Sequence, residues 1–213
     1  MFIGLFISLS TFAAAWTGTG FFVAPNGYLV TAAHVVKGST LLQVRYHHKF
    51  YTAHVVAVDY LHDTAIIKID VNNSMSYTIN INPQVGETMF LLGYPMPERF
   101  GWKLHITKGI VRGLKDRIEG NAFGCPGNSG GPIINTSNEV IGTLVRGISL
   151  GSERCSYSEQ SEYIAYAERL AESAGVFIKT VRSTEKHGYT KDQVYTIAIN
   201  NDSVVLIYGE GNL

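Results

Sequence analysis

The residues best suited to chemistry lie in one stretch, Cys125-Pro126-Gly127-Asn128-Ser129-Gly130-Gly131-Pro132, with the apolar pair Ile133-Ile134 behind it. A serine set among glycines suits a nucleophile held on a tight turn, because residues without Cβ reach dihedrals closed to others and let a substrate backbone approach. If that turn aims the N–H groups of Gly127 and Ser129 at one point, they can hold the negative oxygen of a tetrahedral intermediate. A serine hydroxyl alone is a weak nucleophile. It needs a histidine to take its proton and a carboxylate to orient that histidine. Both occur upstream: His34 in Thr31-Ala-Ala-His34-Val-Val, and Asp63 in Asp59-Tyr-Leu-His-Asp63-Thr-Ala-Ile-Ile-Lys-Ile.

Three stretches, taken in order, resemble the chymotrypsin-like serine peptidases, and most of all their bacterial HtrA-type branch. They are Gly18-Thr-Gly-Phe-Phe-Val with Thr31-Ala-Ala-His34, then His62-Asp63-Thr-Ala-Ile-Ile-Lys-Ile, then Pro126 to Pro132. The resemblance implies that Ser129 attacks the scissile carbonyl, that His34 is general base and then general acid, and that Asp63 fixes the imidazole tautomer. The Gly127 and Ser129 amides would form the oxyanion hole. Asp59 competes with Asp63 for the carboxylate role. Asp63 is preferred because it directly precedes a strand-like run, as in the family. Asn128 stands where zymogen-activated members carry an Asp, so activity without cutting at a fixed new N-terminus is expected.

The same resemblance implies further roles. A Cys125–Cys155 bridge would brace the walls of the pocket for the P1 side chain. Phe123 would form the floor of that pocket, with Gly147 and Ser161 as wall positions. No carboxylate occupies the floor, and burying an unpaired Arg or Lys is costly, so small or medium apolar P1 side chains are expected. The strand Leu144–Gly147 would hold the substrate backbone by antiparallel pairing.

The elements that must position these residues are almost wholly β. Short β-branched or aromatic runs recur: Gly20–Ala24, Tyr28–Thr31, Leu41–Tyr46, Tyr51–Val58 and Ala65–Ile69, then Met89–Gly93, Trp102–Val111, Pro132–Asn135 and Val140–Arg146. Asn72 to Pro83 reads as a linker between two halves. With the resemblance, the expected fold is all-β: two six-stranded antiparallel Greek-key barrels, about 16–72 and about 84–166, with the site between them. A helix from near Ala167 to Gly175 should close a peptidase domain of residues 16–175. Residues 176–213 read as a small β extension, with strand-like pieces Phe177–Val181, Val194–Ile199 and Val204–Tyr208. Its role is open, and it is too short for the PDZ module that HtrA-type proteins often carry.

Residues 1–15 form an apolar run ending in small residues, with Ala13 and Ala15 at A-x-A positions. That pattern fits a secretory signal and a periplasmic or secreted protein, with no stable membrane insertion after processing. No Lys or Arg precedes the run, so the alternative that it belongs to the fold stays open. At 213 residues with zero formal net charge, the chain carries no basic run that would indicate nucleic-acid binding. With two cysteines and no C-x-x-C or H-E-x-x-H pattern, neither a metal nor another cofactor is expected. His47, His48 and His54 read as strand histidines rather than ligands. The expected protein is a serine endopeptidase, acting as a monomer on protein or peptide substrates. An esterase on the same triad and an inactive binding module are the alternatives.

Overall fold

In strand after strand, two neighbouring apolar residues are both buried, each in a different core. The computed structural model describes residues 14–73, 75–148, 155, 158–182 and 188–211. The first sheet contains β1 (Ala14–Phe22), β2 (Tyr28–Ala32), β3 (Ser39–Tyr46), β4 (Lys49–Thr52), β5 (His54–Asp59) and β6 (Thr64–Lys68). The second contains β7 (Ile79–Asn80), β8 (Thr88–Gly93), β9 (His105–Gly113), β10 (Ile118–Gly120), β11 (Pro132–Ile134), β12 (Val140–Ile148), β13 (Ser158–Tyr163) and β14 (Thr180–Val181). The last strand, β15 (Val204–Gly211), joins the first sheet. Helices are few: single turns α1 (Ala33–Val36) and α2 (Pro97–Phe100), then α3 (Ile164–Ser173) and α4 (Lys191–Asn201).

Side chains alternate across a strand, and here that alternation sorts them between cores. Phe22, Leu29, Ile67, Val205 and Ile207 fill the interior of the first sheet. Met89, Leu91, Ile133 and Ile141 fill that of the second. Their neighbours Phe21, Val30, Ile66, Phe90, Leu92, Ile134, Val204 and Leu206 form a third core, which joins the two halves and takes in α3 and α4. Strands buried on both faces read as continuous apolar runs for this reason.

The two-barrel β architecture expected from the sequence is present. In the second sheet, β11 pairs with both β8 and β12, closing the ring β11-β8-β9-β10-β13-β12. The first sheet runs β4-β3-β15-β1-β2-β6-β5. Its two end strands are consecutive in the chain with only Ala53 between them, so the sheet curls round on one bent strand. Ala53 is buried there, and its N–H donates to the Leu42 carbonyl at 2.8 Å.

Several details differ from the sequence reading. Strand β15, read from the sequence as part of a C-terminal extension, lies inside the first sheet between β1 and β3, antiparallel to both, with Ala14 opposite Gly211 and Phe21 opposite Val204. Val194–Ile199 is helical. Thr190 and Gln193 form a reciprocal capping box that starts α4, and Val194 and Ala198 bury one face. Helix α3 begins at Ile164, directly after β13, because Ile164, Ala167 and Ala171 already lie on one buried stripe. His47 and His48 are not within strands but form the β3–β4 turn, both with positive φ, as a type I′ hairpin turn requires. Ala14 and Ala15, part of the expected signal, belong to β1, while residues 1–13 lie outside the described residues.

Candidate active site

Strand β2 delivers His34 to the surface through a single helical turn. Ala33, Val35 and Val36 are buried, so His34 is the residue left facing outward. The register of β2 with β6 sets Ala32 opposite Thr64 and so brings Asp63 beside it. Asp63 has φ +46, a left-handed geometry that Asp tolerates better than most residues. Its carboxylate accepts twice from His34, at 2.8 Å from the backbone N–H and at 2.7 Å from Nδ1. Its own carbonyl accepts from Ala33 N–H at 3.0 Å. An ionised carboxylate only accepts, so in the neutral ring Nδ1 carries the proton and Nε2 is left as the acceptor.

Asp59 is engaged elsewhere. Its Oδ2 lies 2.6 Å from His62 Nδ1, and its Oδ1 accepts from the N–H groups of Leu61 and His62. The His62 ring stacks on Tyr166, with ring centres 3.6 Å apart. Partial burial would push the Asp59 carboxyl up, but the hydrogen bonds and charge of His62 outweigh it and hold it below the usual carboxylate value. Asp63, then, is the carboxylate that meets His34.

The serine stands after a turn of defined type. Asn128 N–H donates to Cys125 carbonyl at 3.0 Å, with Pro126 second and Gly127 third at φ +96, which makes residues 125–128 a type II turn. Met96 N–H holds the Pro126 carbonyl at 2.8 Å. A trans peptide points its N–H opposite its C=O, so the Gly127 N–H faces away from Met96. Among the described residues, the N–H groups of Gly127 and Ser129 have no hydrogen-bond partner, while that of Asn128 between them is used. Asn128 itself is buried. Cys125 and Cys155 form a disulfide, Cα atoms 4.2 Å apart, which ties this turn to the segment before β13.

Gly130 seats the serine against the first barrel. It has φ +83, and a Cβ there would fall 2.2 Å from Thr31 Oγ1, 2.3 Å from the Thr19 carbonyl and 2.8 Å from Ala32 N. Only glycine permits that approach. The backbone beside Ser129 thus abuts the end of β2, just before His34. Among the described residues no hydrogen bond joins the Ser129 hydroxyl to the His34 ring; such bonds often tighten only when substrate binds.

Thr19 is a residue of the candidate site that sequence reasoning passed over. Its N–H donates to Ser129 carbonyl at 2.8 Å and its hydroxyl to Gly127 carbonyl at 2.7 Å. The same hydroxyl accepts from Tyr94 N–H at 3.0 Å, and the Thr19 carbonyl accepts from Thr31 Oγ1 at 2.8 Å. It is fully buried. A lone hydroxyl between Gly18 and Gly20 inside an apolar run was the available signal, since buried polar groups are almost always engaged.

The three positions expected around a P1 pocket fall in different environments. Phe123 is half-buried just before the turn, its carbonyl accepting from Thr107 Oγ1 at 2.7 Å. Gly147 is exposed on β12. Ser161 is buried on β13, opposite Leu144 and Ile118. Beside His34 and Asp63 opens a cleft of about 580 Å³ whose walls include Tyr60, Leu61, Val145 and Arg146. Among the described residues no group of His, Cys, Asp and Glu is gathered as a metal site. None of the described helices is long and apolar enough to cross a membrane.

Two facing β-barrels, with a His–Asp pair from one and a serine turn from the other, define the trypsin-like class of peptidase folds. The chain belongs to the trypsin-like peptidase domain family, which matches residues 18–142. It is 33% identical over 139 residues to uncharacterized protein y4bJ of Sinorhizobium fredii, covering 62% of this chain and 22% of that one. It is 35% identical over 138 residues to a probable periplasmic serine endoprotease, DegP-like, of Chlamydia pneumoniae, covering 59% and 28%. The chain therefore spans about a quarter of the length of these relatives. A crystal structure of the serine endoprotease from Yersinia pestis superposes with a TM-score of 0.65 at 24% identity, covering 76% of this chain and 62% of that one.

Proposed function

We propose that this protein is a serine endopeptidase that cleaves peptide bonds through an acyl-enzyme on Ser129. The observation that carries the reading is the doubly bonded His34–Asp63 pair, which leaves Nε2 as an acceptor, and it is supported by Gly130, which seats the backbone beside the serine against the end of the strand that leads to His34. In this mechanism His34 takes the Ser129 proton as Oγ attacks, and Asp63 stabilises the imidazolium. The N–H groups of Gly127 and Ser129 receive the oxyanion, and His34 then protonates the leaving amine.

The turn is already held by Thr19 and Met96, which supports activity without a cleavage that frees a new N-terminus. Phe123, Gly147 and Ser161 are proposed to shape a P1 pocket for small or medium apolar side chains. Export to the periplasm or beyond is the proposed location. It is supported by the Cys125–Cys155 disulfide, a bond favoured in oxidising compartments, and by the DegP-like relative described as periplasmic.

The test is labelling with a fluorophosphonate, followed by turnover of a random peptide library. The parent should be labelled at Ser129 and cleave peptides. Ser129→Ala and His34→Ala should lose nearly all turnover, and Asp63→Asn should lower kcat by roughly 10⁴ through the wrong tautomer. Comparable turnover by Ser129→Ala would refute the reading, and ester cleavage without peptide cleavage would favour an esterase. Phe123→Gly should gain on large aromatic P1 residues.

A further inference from the structure

The cleft beside His34 carries a surplus of positive charge that the triad does not use. Lys37, Arg117 and Arg146 line it, and Asp63 is the sole carboxylate among the described lining residues. Asp63 is committed to His34. Arg117 is committed through its Nε to the buried Glu162, at 2.6 Å. Among the described residues, the side chains of Lys37 and Arg146 have neither an ion-pair nor a hydrogen-bond partner, and both are exposed. Tyr60 and Leu61 form an apolar wall beside them, with Leu61 80% exposed.

Arg146 lies on β12, within the stretch Leu144–Gly147 proposed above to pair with the substrate backbone. A peptide laid antiparallel there would set the residues N-terminal to its P1 position against Arg146 and the cleft, since strand side chains alternate over about 3.3 Å per residue. Unpaired cations beside a low-dielectric wall attract anions more strongly than the same cations on open surface.

Resting on the peptidase reading, we propose that this cleft is a subsite for acidic side chains, so that the preferred substrates carry Asp or Glu at P2 to P4. Lys37 and Arg146 supply the charge, and the Tyr60–Leu61 wall takes the hydrocarbon stem of the Glu or an apolar neighbour. The site selects among substrates without touching the reacting atoms.

The experiment separates binding from turnover. Ser129→Ala protein is titrated with fluorescent peptides of one P1 residue, carrying Glu or Lys at P2 to P4, at 50 and 300 mM salt. Acidic peptides should bind roughly three- to tenfold more tightly at low salt, with the gain shrinking at high salt, as exposed ion pairs do. Lys37→Glu with Arg146→Glu should reverse the preference, whereas Lys49→Glu, outside the cleft, should leave it unchanged. Equal binding, a preference for Lys, or no binding by any peptide overturns the proposal. Fluorophosphonate labelling of the parent is read separately. A labelled parent without acidic preference sinks the subsite alone, and an unlabelled parent sinks the peptidase reading.

Discussion

Thr19 N–H donates to the Ser129 carbonyl at 2.8 Å, so the first barrel holds the Ser129 turn of the second by its backbone. The Thr19 hydroxyl completes the contact by bridging Gly127 carbonyl and Tyr94 N–H. Thr19→Val keeps the shape and removes the hydroxyl, leaving that buried donor and acceptor unsatisfied at a cost of about 1–3 kcal/mol. Its Tm should fall by several degrees and its kcat should drop, while Thr19→Ser should retain most of both. A kcat for Thr19→Val equal to the parent's would show that the hydroxyl does not position the turn.

Strand β15 should be indispensable. It fills the gap between β1 and β3, and its side chains Val204 to Ile207 are buried in two cores. A chain stopped after Ala174 should show no cooperative unfolding. Because Ala14 pairs with Gly211, a circular permutant beginning at Gly188 and joining Gly211 to Ala14 by a short turn should fold and melt cooperatively. A stable, soluble truncation would refute this role.

The disulfide should stabilise the turn side of the second barrel. It closes a separation of 30 residues, for which loop entropy gives roughly 3–4 kcal/mol in the chain-entropy account. The double Cys125→Ser, Cys155→Ser variant should melt roughly 6–16 °C lower. Intact mass before and after reduction with alkylation measures the bond directly, and two free thiols in exported protein would contradict it.

Asp59 should contribute acid-sensitive stability. Its folded-state pKa is depressed below the usual value of 3.8, because His62 bonding outweighs burial. The stabilisation is therefore fully present above that value and is lost as pH falls through the lower folded pKa. The Tm difference between the parent and Asp59→Asn should hold near pH 5 and close as pH drops below about 4. A difference that grows in acid would reverse the sign of the argument.

The sequence alone carried the triad candidates and the β character. Their signals are local: glycines around Ser129, the histidine after Thr31-Ala-Ala, and alternating or continuous apolar runs set by a strand's period of two. The choice of Asp63 over Asp59 needed resemblance at first. The structure gives the reason, since Asp59 is used by its near neighbour His62 while strand register delivers Asp63 to His34.

What only the tertiary structure decided involves partners far apart in the chain. Thr19 looks like one more residue of an apolar run until Tyr94, Gly127 and Ser129 converge on it. Strand β15 reads as a tail because nothing in its own residues tells which strands it will lie between. Val194–Ile199 carries β-branched residues that favour a strand, yet the capping box at Thr190 and the burial of Val194 and Ala198 on one face make it helical. The charge of the cleft is also a tertiary property: Lys37, Arg117 and Arg146 are scattered in sequence and meet only when the two barrels face each other. Local order follows from residue type and spacing, whereas these contacts depend on which surfaces can be buried together.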